Sequence, residues 1–178
     1  MLYKAFCDAT HIMTSTRSRQ PYAMYVGIIE SENNMDNHII LPEQLVPFNS
    51  CTCCAEMYGI LKTVEYVVDN LPEESEVEIY CDCEAAVKII NGNSTTFNAH
   101  CGKMYQKIRE VLSTRVIKVA QLSANDNNHI NGCDIIGKTL RQYANGLKYK
   151  FRKDDVQCVL GSRYVMDVRY CNYLIHVL

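Results

Sequence analysis

The stretch Glu76-Val77-Glu78-Ile79-Tyr80-Cys81-Asp82 decides the fold. Polar and apolar residues alternate through it, with Val77, Ile79 and Cys81 on one side, so it reads as a strand with one buried face. Its neighbours in sequence give it a direction. From Thr52 to Leu71 the apolar residues Met57, Ile60, Leu61, Val64, Val67, Val68 and Leu71 recur at steps of three and four. That spacing predicts a helix with one buried stripe, ended by Pro72. Before the helix, residues 2–8, 22–30 and about 36–42 read as a meander of three strands, the last two separated by the turn formers Glu32-Asn33-Asn34. A helical crossover lets the strand at 76–82 run parallel to the first.

Downstream, a short helix at 85–90 is stopped by Asn91-Gly92-Asn93, and a second at about 101–114 places Met104, Ile108, Val111 and Leu112 on one face. A fifth strand at 115–122 and an Asn-rich loop follow. A last helix is expected at about 132–144, with Ile135, Ile136, Leu140 and Tyr143 on one face and Asn131 and Asp134 at its start. This element order is mixed α/β. The remainder reads as a β extension, 145–178, packed on the same domain, with strands around the turn Leu160-Gly161-Ser162.

The 178 residues suit one domain able to bury roughly 70% of its unfolded surface. Hydrophobic residues at 48% and charged residues at 21% exclude a disordered, collagenous or coiled-coil chain. The net charge of −2 advertises no polyanionic partner, but it hides a division. Residues 1–100 carry five Lys and Arg against fourteen Asp and Glu, and residues 101–178 carry thirteen against six.

Ten cysteines are too few for a disulfide scaffold in a chain of this length. The beginning of the sequence lacks the features of a signal peptide, and no stretch reaches the ~18 apolar residues of a membrane span. A cytoplasmic protein with reduced thiols and no membrane contact is expected. Cys51-Thr52-Cys53-Cys54 resembles half of a zinc knuckle, but no second pair stands at the usual spacing, so zinc is not expected. A different pattern is more informative. Cys7, Cys81 and Cys133 immediately precede Asp8, Asp82 and Asp134. On a strand this puts the thiol in the core and the carboxylate at the opposite surface.

Four acids therefore stand at element ends: Asp8 on the first strand, Glu56 in the first turns of the long helix, Asp82 on the fourth strand, and Asp134 at the start of the last helix. Carboxylates gathered together repel unless cations neutralise them, and hard oxygen ligands suit Mg²⁺ or Mn²⁺. Two such ions ~4 Å apart activate water and stabilise a leaving oxygen in phosphodiester cleavage.

With these residues in view the sequence resembles type 1 ribonuclease H, of the ribonuclease H-like superfamily. The matching segments are Tyr3-Lys4-Ala5-Phe6-Cys7-Asp8-Ala9-Thr10, Thr52-Cys53-Cys54-Ala55-Glu56, Ile79-Tyr80-Cys81-Asp82-Cys83 and Asn131-Gly132-Cys133-Asp134. The resemblance spans the expected catalytic domain, 1–144. It implies a five-stranded mixed sheet, three antiparallel strands then two parallel, with helices on both faces. It implies that Asp8, Glu56, Asp82 and Asp134 bind two Mg²⁺, with Mn²⁺ as substitute, and that the RNA strand of an RNA–DNA hybrid is cut. Thr10 and Thr52 would face the nucleic acid, and His129 would stand in for a His that the family carries where this chain has Ala124.

The chain has Asp8-Ala9 where the family usually has Asp-Gly, and it lacks the tryptophan-bearing basic helix of some members. Lys138, Arg141, Lys148, Lys150, Arg152 and Lys153, interleaved with Tyr143, Tyr149 and Phe151, are a substitute grip for phosphates and bases. Tyr58 and Tyr66 are expected in or beside the core, and the loop arginines Arg17 and Arg19 are read equally as phosphate contacts or as plain surface. A monomer is expected. The alternatives are a non-catalytic module that binds nucleic acid or protein, and a DNA resolvase or transposase on the same scaffold.

Overall fold

The computed structural model describes residues 1–12, 22–40, 45–47, 51–94, 98–123, 130, 133 and 164–166. A mixed sheet is built from β1 (Leu2–Ile12), β2 (Tyr22–Ser31), β3 (Asn34–Ile40), β4 (Leu45–Pro47), β5 (Glu76–Cys81), β6 (Ile117–Gln121) and β7 (Tyr164–Met166). Three described helices accompany it: α1 (Thr52–Asn70), α2 (Glu84–Ile90) and α3 (Ala99–Leu112). The strand order is β6-β5-β1-β2-β3-β7, and β4 pairs with β2. The first three strands are antiparallel neighbours, while β5 and β6 run parallel to β1, as the helical crossovers require.

Among the described residues the sheet has seven strands rather than the expected five. Short β4 adds to β2, and β7, from the C-terminal extension, lies parallel beside β3. Three-residue strands carry too little periodicity to be read from sequence. The helix expected at 132–144 lies outside the described residues apart from Cys133, as does the rest of 145–178 outside β7. Ile130 and Cys133 are both fully buried.

The core lies between one sheet face and the three helices. Ala5 and Cys7 of β1, Val77, Ile79 and Cys81 of β5, and Val119 of β6 pack with Met57, Ile60, Val64 and Val67 of α1, Val87 and Ile90 of α2, and Cys101 and Ile108 of α3. On the opposite side Phe6 stacks on Tyr80 with ring centroids 5.5 Å apart. Tyr66 is buried, and half-buried Tyr58 meets Tyr25 edge to face, matching their expected core and boundary places.

Helix ends follow local chemistry. The α1 helix stops before Pro72 because Leu71, the residue before proline, is held extended. Its C-terminal carbonyls are taken up by Arg115, whose guanidinium donates to Val67 O at 2.9 Å, to Leu71 O at 3.1 Å and to Pro72 O. That engagement is why the following strand begins at Ile117 rather than at residue 115. The α3 helix begins two residues earlier than its apolar pattern indicates, because Asn98 caps it by accepting from Cys101 N at 2.9 Å. After α2, Gly92 adopts φ 74°, the left-handed turn that stops the helix.

Cys54 and Cys101 form a disulfide that joins the first turns of α1 and α3. This departs from the expectation that all thiols are reduced. The two positions are 47 residues apart, and only the packing of α1 against α3 brings them together. Among the described residues no helix is long and apolar enough to cross a membrane.

Candidate active site

Parallel pairing of β1 with β5 sets Cys7 beside Cys81, so the next residues, Asp8 and Asp82, lie side by side at the same end of the sheet. Asp8 is still within β1, whereas Asp82 is the first residue past β5. Glu56 arrives from the second turn of α1. Its Oε2 accepts from Ala9 N at 3.0 Å and from the Cys81 thiol at 3.8 Å. Ligand atoms of Glu56, Cys81 and Asp82 all lie within 4.8 Å of one another. The close approach of α1 to the sheet depends on Gly59, where a Cβ would stand 3.3 Å from Ala9 Cβ and 3.4 Å from Tyr25 Cβ.

The carboxylates are less open to water than alternation along a strand suggests. Asp8 is 8% exposed and Glu56 7%, with Asp82 half-buried. Asp8 sits on β1, between β2 and β5 in the sheet, and pairs with Val26 of β2. Cys7, Cys81 and Cys133 do fill the core as the Cys-Asp pairs imply.

Burial pushes the Glu56 carboxyl well above the usual carboxylate range, and the neighbouring Cys81, Asp8 and Asp82 side chains push it further. The Ala9 N–H opposes this weakly. The Cys81 thiol is raised by its hydrogen bond with Cys7 and by burial, and Cys133 by burial and the charges of Asp8, Cys81 and Asp82. These sulfurs are thus held as thiols, a non-ionised floor beneath the acids. The donor set fits a hard divalent cation. A buried glutamate held beside Asp8 and Asp82 gains from a cationic counter-charge, and the Cys81 thiol within reach stays protonated.

Asp8, Glu56 and Asp82 are therefore brought together from three separate segments. Asp134 lies outside the described residues, but its neighbour Cys133 is buried against β1, with Sγ donating to Phe6 O at 3.5 Å. Thr52 is exposed at the first residue of α1, and Thr10 pairs with Met24 in the β1–β2 ladder. His129, Lys138, Arg141, Lys148, Lys150, Arg152 and Lys153 lie outside the described residues. Reading the sequence missed Cys81 as a neighbour of Glu56 and the Ala9 N–H that holds Glu56. Both depend on the depth to which α1 packs onto β1, which periodicity does not report.

No known family model matches the chain, and no curated protein matches it by sequence. Solved structures do share its fold. RNase H1 from the halophilic archaeon Halobacterium salinarum superposes with a TM-score of 0.56 at 15% identity, covering 75% of this chain and 94% of that one. LC11-RNase H1, isolated from compost by a metagenomic approach, superposes with a TM-score of 0.61 at 15% identity, covering 80% and 97%. The same LC11 enzyme in complex with an RNA/DNA hybrid gives 0.51 at 16% identity, covering 75% and 98%. The chain has a ribonuclease H-like α/β fold.

Proposed function

We propose that this protein is a metal-dependent endoribonuclease that hydrolyses the RNA strand of RNA–DNA hybrids. The approach of Glu56 to Asp82, with Asp8 beside them at the same end of β1 and β5, carries this reading. The shared fold, one instance of which binds an RNA/DNA hybrid, supports it. Asp8, Glu56, Asp82 and Asp134 would hold two Mg²⁺, or Mn²⁺ in their place. Such ions, when bound, supply an activated water and neutralise charge on the leaving oxygen.

The chain's own residues do the positioning. Ala9 N–H holds Glu56 Oε2 and so orients that carboxylate before anything binds. Asp8 and Asp82, on adjoining strands, would help hold both ions, Glu56 the one that neutralises the leaving oxygen and Asp134 the one that activates water. The buried thiols beneath keep solvent from the inner side of the cluster. Thr10 and Thr52 would meet the hybrid backbone, His129 would serve the end of the cycle, and the basic run from Lys138 to Lys153 would track phosphates.

A labelled hybrid incubated with Mg²⁺, Mn²⁺ or EDTA tests the reading. Cleavage is expected only with the cation. Asp82→Asn should lower it at least about 100-fold, since removing a metal-binding charge costs several kcal/mol of transition-state stabilisation. Undiminished cleavage by Asp82→Asn would sink the assignment. Binding of the hybrid with no turnover under any cation would select a non-catalytic module, the reading that the deep burial of Asp8 and Glu56 favours. Preferential cutting of branched DNA would select a resolvase.

A further inference from the structure

Away from the acids, the N-terminal ends of α1 and α3 meet around sulfur. Cys51 is the N-cap of α1 and Cys54 stands three residues later, while Cys101 stands three residues after Asn98, the N-cap of α3. Cys51 Sγ is 3.5 Å from Cys54 Sγ and 3.9 Å from Cys101 Sγ, and the latter two are bonded. Asn98 binds the group with both ends of its amide. Its Nδ2 donates to Cys51 Sγ at 3.4 Å, and its Oδ1 accepts from Cys101 N and lies 3.5 Å from Cys54 Sγ. Cys54 and Cys101 are buried, Cys51 is exposed, and a cavity of about 450 Å³ lined by Cys51, Cys53, Asn98 and Cys101 opens beside them.

We propose that Cys51, Cys54 and Cys101, once the Cys54–Cys101 bond is reduced, form a three-thiolate site for one soft divalent cation of the Zn²⁺ class. The fourth coordination position would face the cavity and take water. Tetrahedral zinc with sulfur at ~2.3 Å needs its sulfurs about 3.8 Å apart. Two of the three separations already match, and opening the disulfide frees the third. Two helix N-termini carry partial positive charge, which stabilises the excess negative charge of three thiolates. The Asn98 amide donating to Cys51 is the outer hydrogen bond that thiolate ligands use to hold their orientation.

Reduction consumes two electrons. A phosphine reductant takes the oxygen of one water to become a phosphine oxide, and the two sulfurs leave as thiols. Each ligating thiol then releases its proton to solvent as the metal binds. Oxidation to the disulfide removes two of three ligands, so the metal-bound and disulfide-bonded forms exclude one another. This site goes beyond the nuclease reading and is independent of it, because sulfur selects soft cations and the acids select hard ones. The Cys51-x-x-Cys54 half-site lacks a second pair in sequence, and the fold supplies the missing ligand from α3.

The full-length protein, reduced with a water-soluble phosphine and stripped of metal, is titrated with Cd²⁺ without oxygen, and thiolate-to-cadmium charge-transfer absorption is followed. The expected result is saturation at roughly one equivalent, binding weakened at least about tenfold by Cys51→Ser and by Cys101→Ser, and little change in Cys53→Ser. Protein with the disulfide intact should give no band. A reduced wild type without a saturable band, or a band of full strength in Cys101→Ser, overturns the proposal. Should circular dichroism find Cys101→Ser unfolded, Cys51→Ser at its exposed position decides, and an unweakened band there also overturns it.

Discussion

Burial, with Cys81, Asp8 and Asp82 close by, favours the protonated form of Glu56, and this has a consequence for stability. The folded chain keeps a proton that the unfolded chain releases once pH passes the ordinary glutamate range. Folded stability is therefore fully present below that range and declines as pH rises toward the elevated folded value. Metal-free protein should accordingly melt at lower temperature as pH rises from about 5 to 8, and Mg²⁺ should restore more of the loss at the higher pH. Glu56→Gln keeps an acceptor for Ala9 N–H without the charge. It should flatten the pH dependence and raise the neutral-pH Tm by roughly 2–6 °C while abolishing cleavage. Thermal melts in EDTA across that range check it, and a Glu56→Gln Tm below wild type would refute this account of the site.

The α1 helix links stability to chemistry, because it carries Glu56 at one end and is closed at the other by Arg115. Its depth against β1 is set where Gly59 meets Ala9 and Tyr25. A β-branched side chain there has no room within the observed packing. Gly59→Val should destabilise by about 1–3 kcal/mol through overpacking and, by lifting α1, lengthen the hydrogen bond from Ala9 N to Glu56. The measurement is a denaturant midpoint beside the rate of hybrid cleavage. A normal rate in Gly59→Val would mean that Glu56 is positioned by something other than the seat of α1. The helix itself was legible from its apolar steps at Met57, Ile60, Leu61, Val64 and Val67, whereas the tight approach at Gly59 was not. A glycine on a helical face gives no sign of what faces it.

At the scale of the molecule, acids dominate the first hundred residues and bases the remainder. On the proposed reading, most of the metal ligands would come from the first half and the phosphate contacts from the second, and no net positive charge would be needed. If the basic run grips the backbone, Lys148→Glu with Lys150→Glu should weaken hybrid binding and reduce the slope of log affinity against log salt by about 2, near 0.9 for each phosphate left without its lysine. Binding measured over a range of salt decides it, and an unchanged slope would assign those lysines to plain surface. The extension also reaches the sheet, since β7 pairs with β3 at the edge opposite β6.

From its order of residues alone this chain determined the mixed α/β succession and the parallel return of Glu76–Cys81 beside the first strand, and it set Glu56 and Asp82 where those elements bring them close. Those features rest on local periodicity and on the short reach of connections, both written in neighbouring residues. Tertiary structure alone decided that Asp8 is buried, that Ala9 N–H and the Cys81 thiol both donate to Glu56, and that Cys101 completes a sulfur cluster with Cys51 and Cys54. Each of these depends on segments far apart in the chain meeting at distances of 3–4 Å, which packing sets and no sequence period encodes.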